Sequence, residues 1–320
     1  MSKKAIFGVG MVTVDFVQTL QQFPVQGSTN KVEQEKTVLG GPIGRGILTC
    51  QRLGCECEII GMVGRGIYAN VLRELLIRNS IRHHLIEVKG ILESQHSFIL
   101  VSMETGSRTT FWQPQPKADM CSIELARKSI KNASVVLLDC TDIDLAREIA
   151  IECRKRDIPS VLDTGSYKKN VESLFPYIDY LIVPSNFIEK APWVRPGTDN
   201  IQAIKELGRE VSANLVGFTE GEKGGAVFIK EREELITFSA YKIETVDSCG
   251  AGDTFHGAFA YGVAKGWPIT KTVAFSAWAA AMKCSSFGNA GLPTQKEAVT
   301  WESKFFEGDG TSGNNRQYWS

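Results

Sequence analysis

Short runs of β-branched and other apolar residues alternate with amphipathic stretches over most of the chain. The apolar runs KAIFGVG, CEIIG, SVVLLD, PSVLD, DYLIV and NLVGFT have the length and composition of buried strands. Between them lie stretches with helical periodicity. One is TDIDLAREIAIECRKR, which places Ile143, Ala146, Ile149, Ala150 and Cys153 on one face. This alternation predicts a mostly parallel sheet covered by helices on both sides.

Two regions break this pattern and predict a second, smaller sheet. Residues 13–39 combine polar–apolar alternation with turn residues and show no helical period. Ser97–Trp112 is typical of a hairpin whose turn is Glu104–Ser107. Alternating strands have one solvated face, so we expect them to form a lid on the α/β core. The predicted division is a core of 1–12, 40–93 and 114–306, a lid of 13–39 and 94–113, and a flexible tail of 307–320.

Composition and charge narrow the class of function. Among the 320 residues, Lys plus Arg equals Asp plus Glu at 36 each, and 43% are hydrophobic, which argues against a nucleic-acid-binding surface and against disorder. The eight cysteines contain no CxxC pair, and the four histidines show no zinc-type spacing. Without a signal-peptide pattern or an apolar run of 18 residues, the predicted location is the cytoplasm, with no membrane partner.

Candidate phosphate-binding loops occur at both ends of the chain. Gly8-Val9-Gly10 follows the first predicted strand, but a dinucleotide fingerprint needs a third glycine where Thr13 stands, and no Walker loop is present. The stretch DSCGAGDTFHGAFAYG is more informative. Gly250, Ala251 and Gly252 carry almost no side chain in front of a predicted helix, so a phosphate could approach their N–H groups. The pattern predicts an anion hole.

Asp253 falls on the first turn of that helix, where two interpretations are open. It could simply complement the helix dipole, as acids in first turns often do. Alternatively, it is a general base beside the anion hole, accepting the proton of a hydroxyl that attacks a phosphoryl group. A helix N-terminus is expected to lower its pKa, which would make Asp253 mainly an orienting acceptor.

The segment Asp247–Phe255 resembles the D-T-x-G-A-G-D-x-F motif of the ribokinase-like, or phosphofructokinase-B, carbohydrate kinases. Further elements similar to that family follow its order along the chain. They are GGPIGRGILTCQRLG (40–54), IGMVG (60–64), SRT (107–109), PSNFIE (184–189), TEGEKG (219–224) and AAMKCSSFGNAGLP (280–293). The resemblance covers residues 4–305. The run from FHGAF to GNAGLP favours the branch that contains ketohexokinases and sulfofructose kinase.

The resemblance implies an α/β fold, the ribokinase-like three-layer sandwich with a mostly parallel central sheet and a small β lid. It also implies ATP-dependent phosphorylation of a primary hydroxyl on a sugar. Asp253 matches the catalytic base, and Gly250, Ala251 and Gly252 match the anion hole. Thr219, Gly221 and Gly224 match the loop bordering ATP, while Asn186 and Glu189 match the element that organises magnesium through water. Asp247 and the Cys249 carbonyl match positions that hold a monovalent cation, potassium, in some members, with the Gly288 region closing the shell.

Substrate contacts are implied at the other end of the site. Asp15, at the end of the first strand, matches an acid that binds sugar hydroxyls, and Gly40 and Gly41 would let the backbone approach the sugar. Arg45 replaces the family's Asn, and Gly66 stands where an acid is common. Arg45 is either a solvated helix residue or the partner of an anionic group on the substrate, with help from Arg108.

Two other functions and one assembly remain open at this stage. A nucleoside kinase of the same fold would need aromatic stacking, which Phe16, Phe98, Phe111 and Trp112 could supply. A non-catalytic sugar-binding regulator is disfavoured by Asp253, Asn186 and Glu189, because a binding protein needs neither a base nor magnesium. Exposed lid strands favour a homodimer formed by pairing two lids.

Overall fold

The computed structural model of the chain describes residues 5–105, 107–114 and 116–307. The strands are β1 (Ala5–Val9), β2 (Thr13–Leu20), β3 (Gln34–Gly40), β4 (Cys57–Val63), β5 (Arg82–Glu87), β6 (His96–Ser102), β7 (Arg108–Trp112), β8 (Ala133–Asp139), β9 (Ser160–Asp163), β10 (Tyr180–Pro184), β11 (Leu215–Thr219), β12 (Gly225–Ile229) and β13 (Glu234–Phe238). The helices are α1 (Pro42–Arg52), α2 (Ile67–Arg78), α3 (Met120–Ser129), α4 (Ile143–Lys155), α5 (Ser185–Lys190), α6 (Asn200–Glu210), α7 (Ala251–Ala264), α8 (Ile269–Cys284) and α9 (Gln295–Glu307).

Nine of these strands form the central sheet, in the order β13-β12-β11-β10-β9-β8-β1-β4-β5. All neighbours from β11 to β5 are parallel, and only β12 and β13 pair antiparallel to their neighbours. The six apolar runs of the sequence all lie in this sheet, so the predicted mostly parallel sheet is confirmed. The pattern missed β5, which is partly exposed at one edge of the sheet, and the antiparallel strands β12 and β13 at the other edge.

Two apolar clusters fill the space on either side of the central sheet. Strand residues alternate between them, so that Val136 and Leu138 pack with α3, α4 and α6, whereas Val135 and Leu137 pack with α1, α7 and α8. Burying each Leu or Val side chain contributes about 1.5–3 kcal/mol. The amphipathic stretch predicted around Ile149 is α4, and it turns its apolar face to the first cluster. The chain therefore forms three layers, as predicted.

A separate four-stranded sheet in the order β3-β2-β6-β7 forms the predicted lid. The β6–β7 hairpin pairs Val101 with Arg108, which confirms the predicted hairpin, while Gly106 of its predicted turn lies outside the described residues. The parallel pairing of β2 with β6 joins the two lid segments and was not predicted. Asp15 is the third residue of β2 in this lid, which corrects its predicted place at the end of the first strand.

The C-terminal region differs from the predicted boundary. Glu307 is the last residue of α9, whereas the predicted tail began there. Residues 308–320, the rest of that tail, lie outside the described residues. The proposed limits of core and lid stay a prediction. Within 5–105, 107–114 and 116–307, no helix is long and apolar enough to cross a membrane.

Candidate active site

The predicted site residues gather at one edge of the central sheet. Thr219 ends β11 and Asn186 follows β10, both as predicted site residues. Asp139 and Asp163, which the sequence analysis did not name, end β8 and β9. Because these strands are parallel, their carboxyl ends meet at the same edge, which is where open α/β sheets bind ligands. The start of α7 lies at this edge too, since His256 in its second turn contacts Ile182 of β10.

A close contact between α1 and α7 places Arg45 beside Asp253. A Cβ added to Gly257 would lie 2.2 Å from the Gly46 carbonyl oxygen, so only glycine allows the two helices to approach this far. The Cys50 thiol donates to the Gly257 carbonyl at 3.0 Å across the same contact. Residue 45, immediately before Gly46, is therefore held against the first turn of α7.

Arg45 joins the two carboxylates that the sequence assigned to separate roles. Its Nη1 donates to Asp253 Oδ2 at 2.6 Å and its Nη2 donates to Asp15 Oδ2 at 2.7 Å. Arg45 is 7% exposed and Asp15 is 3% exposed, which excludes the interpretation of Arg45 as a solvated helix residue. One cation thus faces two anions, so its charge is matched within the chain before any substrate binds.

Burial is the largest influence on the pKa of both acids. Burial raises the pKa of Asp253 above its ordinary value, although the Arg45 charge acts in the opposite direction. Burial likewise raises the pKa of Asp15, against Arg45 and a hydrogen bond from Ser97. The pKa of Asp253 is thus raised by burial, whereas the position at a helix N-terminus was expected to lower it. A raised pKa makes Asp253 a better proton acceptor.

The two glycines of the predicted anion hole differ in how closely other atoms approach them. Gly250 has φ +83°, and a Cβ there would lie 2.2 Å from Arg45 Cδ, so it makes room for the Arg45 side chain. Gly252 faces open space, with no atom within 4 Å of an added Cβ. The Ala251 N–H donates to the Ser248 carbonyl at 3.3 Å. Gly252 and Asp253 belong to the first turn of α7, where backbone N–H groups have no acceptor within the helix. These two N–H groups are therefore suited to bind an anion.

Gly40 and Gly41 are small for reasons that lie inside the chain. A Cβ on Gly40 would lie 2.0 Å from Asp15 Oδ2, and Gly41 has φ +81° with its Cβ position 2.6 Å from the Met11 carbonyl oxygen. Both glycines thus allow the β2–β3 pair to enclose Asp15. The predicted approach of this backbone to a sugar remains a proposal.

The residues predicted to border ATP and magnesium lie on two neighbouring elements, helix α5 and the turn after β11. Asn186 and Glu189 are exposed on α5, and Thr219 leads into the turn Gly221–Lys223. The Glu220 hydrogen bond and charge raise the pKa of Lys223, and the Glu189 charge contributes from α5, so the two elements are neighbours. Gly224 has φ +86°, and a Cβ there would meet the Phe238 carbonyl oxygen. Exposed amide and carboxylate oxygens fit a magnesium ion that keeps most of its waters.

The oxygens of Asp247, by contrast, are bonded to groups of the chain itself. Lys283 Nζ lies 2.8 Å from the Asp247 carbonyl oxygen and 2.9 Å from Asp247 Oδ2. The N–H groups of Cys249 and Gly288 donate to the same carboxylate at 2.8 Å and 2.9 Å. A monovalent cation would need these oxygens, so the residues present do not fit the potassium site that the resemblance implied.

A cleft connects the lid to the start of α7. It is lined by Val17, Val38, Ile99, Val101 and Arg108 from the lid, and by Arg45, Asp247, Cys249, Phe287, Gly288 and Asn289 from the core. Arg108 is exposed and is thus placed to reach a ligand. At Gly66, where the family often has an acid, Glu93 Oε2 from another loop lies 2.6 Å from where a Cβ would be.

Comparison with known proteins agrees with this geometry. Residues 3–295 match the family described as pfkB family carbohydrate kinase. A ribokinase from Bacillus subtilis is 27% identical over 292 residues, which cover 90% of this chain and 96% of the relative. Among solved structures, Arabidopsis thaliana ribokinase complexed with ribose and ATP has a TM-score of 0.75 at 20% identity, covering 93% of this chain and 98% of that one.

Phosphofructokinase-2 from Escherichia coli, solved in complex with potassium, has a TM-score of 0.78 at 14% identity and covers 94% of this chain and 99% of that chain. At these identities the structures show a common fold. The chain belongs to the pfkB family of carbohydrate kinases. It is an ATP-dependent sugar kinase, a transferase to an alcohol group. The ketohexokinase and sulfofructose kinase branch is not singled out and stays a prediction.

Sequence reasoning missed a buried pair beneath the anion hole. His256 Nδ1 lies 2.9 Å from the Gly252 carbonyl oxygen and 3.2 Å from Asp163 Oδ2, and Nε2 lies 2.9 Å from the Ile182 carbonyl oxygen. Acceptors at both nitrogens favour the doubly protonated ring. Burial opposes this charge, but Asp163 outweighs it and raises the pKa of His256 to about 9. Two features of the sequence could have indicated this pair. They are the histidine inside the small, apolar run GDTFHGAFAYG and the aspartate at the end of SVLD.

This pair predicts a loss of stability at alkaline pH. Because the pKa of His256 is higher in the folded chain, about 9 against 6.5 for an ordinary histidine, its contribution is complete below pH 6.5 and is lost as the pH rises through about 9. The contribution is on the order of 1 kcal/mol for each unit of pKa difference. We expect His256→Gln to remove this pH dependence in urea unfolding, while His83→Gln, a partly exposed control, leaves it intact. An unchanged slope in His256→Gln would contradict the assignment.

Proposed function

We propose that this site transfers the γ-phosphoryl group of ATP to a primary hydroxyl of a sugar, with Asp253 as general base and the start of α7 as anion hole. The observation that carries the proposal is the pair of salt bridges that Arg45 makes with Asp15 at 2.7 Å and with Asp253 at 2.6 Å. These contacts hold the Asp253 carboxylate, whose pKa is raised by burial, on the first turn of α7, next to N–H groups that are suited to a phosphate.

Each group then has a defined part in the reaction. Asp253 accepts the hydroxyl proton as the sugar oxygen forms its bond to the γ-phosphorus, the bond to the β–γ bridging oxygen breaks, and ADP leaves. The Gly252 and Asp253 N–H groups stabilise charge on the transferred group. Asn186 and Glu189 would hold magnesium through water, and the ion supplies neutralisation of phosphate charge. Thr219, Gly221 and Gly224 would border the nucleotide.

The same geometry bears on the substrate. We propose that Asp15, oriented by Arg45, accepts hydrogen bonds from sugar hydroxyls near Gly40 and Gly41. Since Arg45 already faces two carboxylates, an uncharged, hydroxyl-rich end of the sugar suits this position better than an anionic group. An acidic sugar, bound with the help of Arg108, is the alternative, and a ketose is compatible with either. Pairing of two lids in a homodimer also stays a prediction, and it would cover exposed Phe111 and Trp112.

The proposal is tested by measuring ADP release with ATP, magnesium and a panel of neutral sugars, acidic sugars and nucleosides. We expect saturable release with at least one neutral sugar and a product phosphorylated at a primary hydroxyl, identified by phosphorus NMR. If nucleosides alone are phosphorylated, the sugar assignment is overturned. The stacking of Phe16 on Phe98, with ring centroids 5.2 Å apart, already pairs two of the aromatic residues that a nucleoside site would need.

A further inference from the structure

The strongest unassigned feature is a lysine ammonium buried behind the anion hole. Lys283 lies in the last turn of α8, and its side chain is fully buried. Its Nζ is bonded to both the carbonyl oxygen and the carboxylate of Asp247. A buried ammonium is costly unless it is paired and hydrogen-bonded, so this arrangement demands a reason in the local structure.

Asp247 organises the segment that leads into Gly250. Its Oδ1 accepts from the Cys249 N–H, and its Oδ2 accepts from the Gly288 N–H as well as from Lys283. The Cys284 carbonyl in turn accepts from the Val246 and Asp247 N–H groups at 2.9 Å and 3.1 Å. Asp247, paired with Lys283, therefore joins the end of α8, the Gly288 turn and the loop in front of the predicted anion hole.

Charge and space argue against a second cation here. The Asp247 carboxylate already has a cationic partner, because Lys283 Nζ lies 2.9 Å from its Oδ2 and 2.8 Å from the Asp247 carbonyl oxygen. A potassium ion seeking the same two Asp247 oxygens would lie within a few ångströms of a like charge, and repulsion at that distance in a partly buried site is on the order of several kcal/mol.

We propose that Lys283 is a built-in cation: its ammonium takes the place of a dissociable monovalent ion and positions the Asp247–Gly250 segment. The inference rests on the proposed function, because it assigns Lys283 a positioning role for the anion hole. Unlike a free ion, the ammonium is covalently attached, so the anion hole is formed at any potassium concentration. The kinase is consequently independent of added monovalent cations.

The test uses the whole chain in potassium, sodium or tetramethylammonium chloride at equal ionic strength. For the wild type, we expect the same melting temperature in all three salts. We also expect the Kd of magnesium–adenylyl imidodiphosphate, measured by calorimetry, to agree within about twofold among them. A saturable, potassium-specific tightening or stabilisation of the wild type would overturn the proposal.

Two substitutions sharpen the test. Lys283→Ala removes the ammonium and opens space beside the Asp247 oxygens, so we expect its melting temperature to fall by roughly 5–10 °C and to recover in part with potassium. Lys283→Met removes the charge but fills the space, and we expect a similar fall without recovery. Lys271→Met, which removes another buried lysine of α8 paired with Glu302, should show no potassium response. Absence of a potassium response in Lys283→Ala contradicts the proposal.

These readouts separate the inference from the proposed function. Nucleotide binding and thermal unfolding need no sugar, so the salt comparison gives a result even if no sugar in the panel is phosphorylated. If both Lys283 variants fail to fold, the wild-type comparison still decides whether a potassium ion is required.

Discussion

Asp253→Asn is expected to lower kcat for sugar phosphorylation by about a hundredfold to ten-thousandfold, the range for loss of an acid–base group. Asparagine keeps the size of the side chain but cannot accept the hydroxyl proton. The measurement is ADP release at saturating sugar and ATP. Since the N–H groups at the start of α7 remain, we expect the Kd of the ATP analogue to change little by comparison.

The control for this substitution is Asp144→Asn in the first turn of α4, an exposed acid that shares the residue type and helix position of Asp253. It should leave kcat unchanged. A variant Asp253→Asn with wild-type kcat would remove Asp253 from the mechanism and restore the other interpretation, in which it complements the helix dipole.

Arg45→Met is expected to lower the free energy of unfolding by about 3–5 kcal/mol near neutral pH, as for other broken buried ion pairs. The substitution keeps most of the side-chain volume but leaves Asp15, which is 3% exposed, without its cation. Urea unfolding measures the effect. The exposed pair of Arg147 with Asp144 provides the control, and Arg147→Met should cost about 0–1 kcal/mol.

The pH dependence of this loss has a defined sign. The pKa of Asp15 is raised in the folded chain even with Arg45 present, and removing Arg45 raises it further. An acid with a raised folded pKa destabilises the fold as the pH rises from its ordinary value of about 4 through the folded pKa. The difference between Arg45→Met and wild type should therefore be largest at neutral pH and smallest near pH 4, and Asp15→Asn should restore part of the loss. A pH-independent difference would mean that lost packing dominates.

The activity of Arg45→Met tests whether Arg45 contacts an anionic group of the substrate. If Arg45 positions Asp15 and Asp253, its loss lowers kcat/KM equally for neutral and acidic sugars. A loss confined to acidic sugars would instead support direct contact between Arg45 and an anionic group.

Much of the fold was predictable because the signals are local. A buried parallel strand requires a continuous apolar run, so six strands were found. The antiparallel β13, which is mostly half-buried, was not found, and neither was β12, although it is apolar and largely buried. The proposed catalytic motif could also be read from the sequence, since Gly250, Ala251, Gly252 and Asp253 are contiguous and three small residues in front of a helix are a property of the sequence itself.

The tertiary structure decided which side chains meet. Arg45 is separated along the sequence by 208 positions from Asp253 and by 30 positions from Asp15. No pattern in a single sequence shows that these three residues meet. Lys283 and Asp247 lie 36 positions apart, so the sequence did not show that a lysine pairs with the aspartate of the implied potassium site. Desolvation, which raises the pKa of Asp253, also depends on surroundings brought in by folding. The sequence by itself determined the helix start that can hold a phosphate, while the partners of its charged residues exist only once α1, α7 and α8 have packed together.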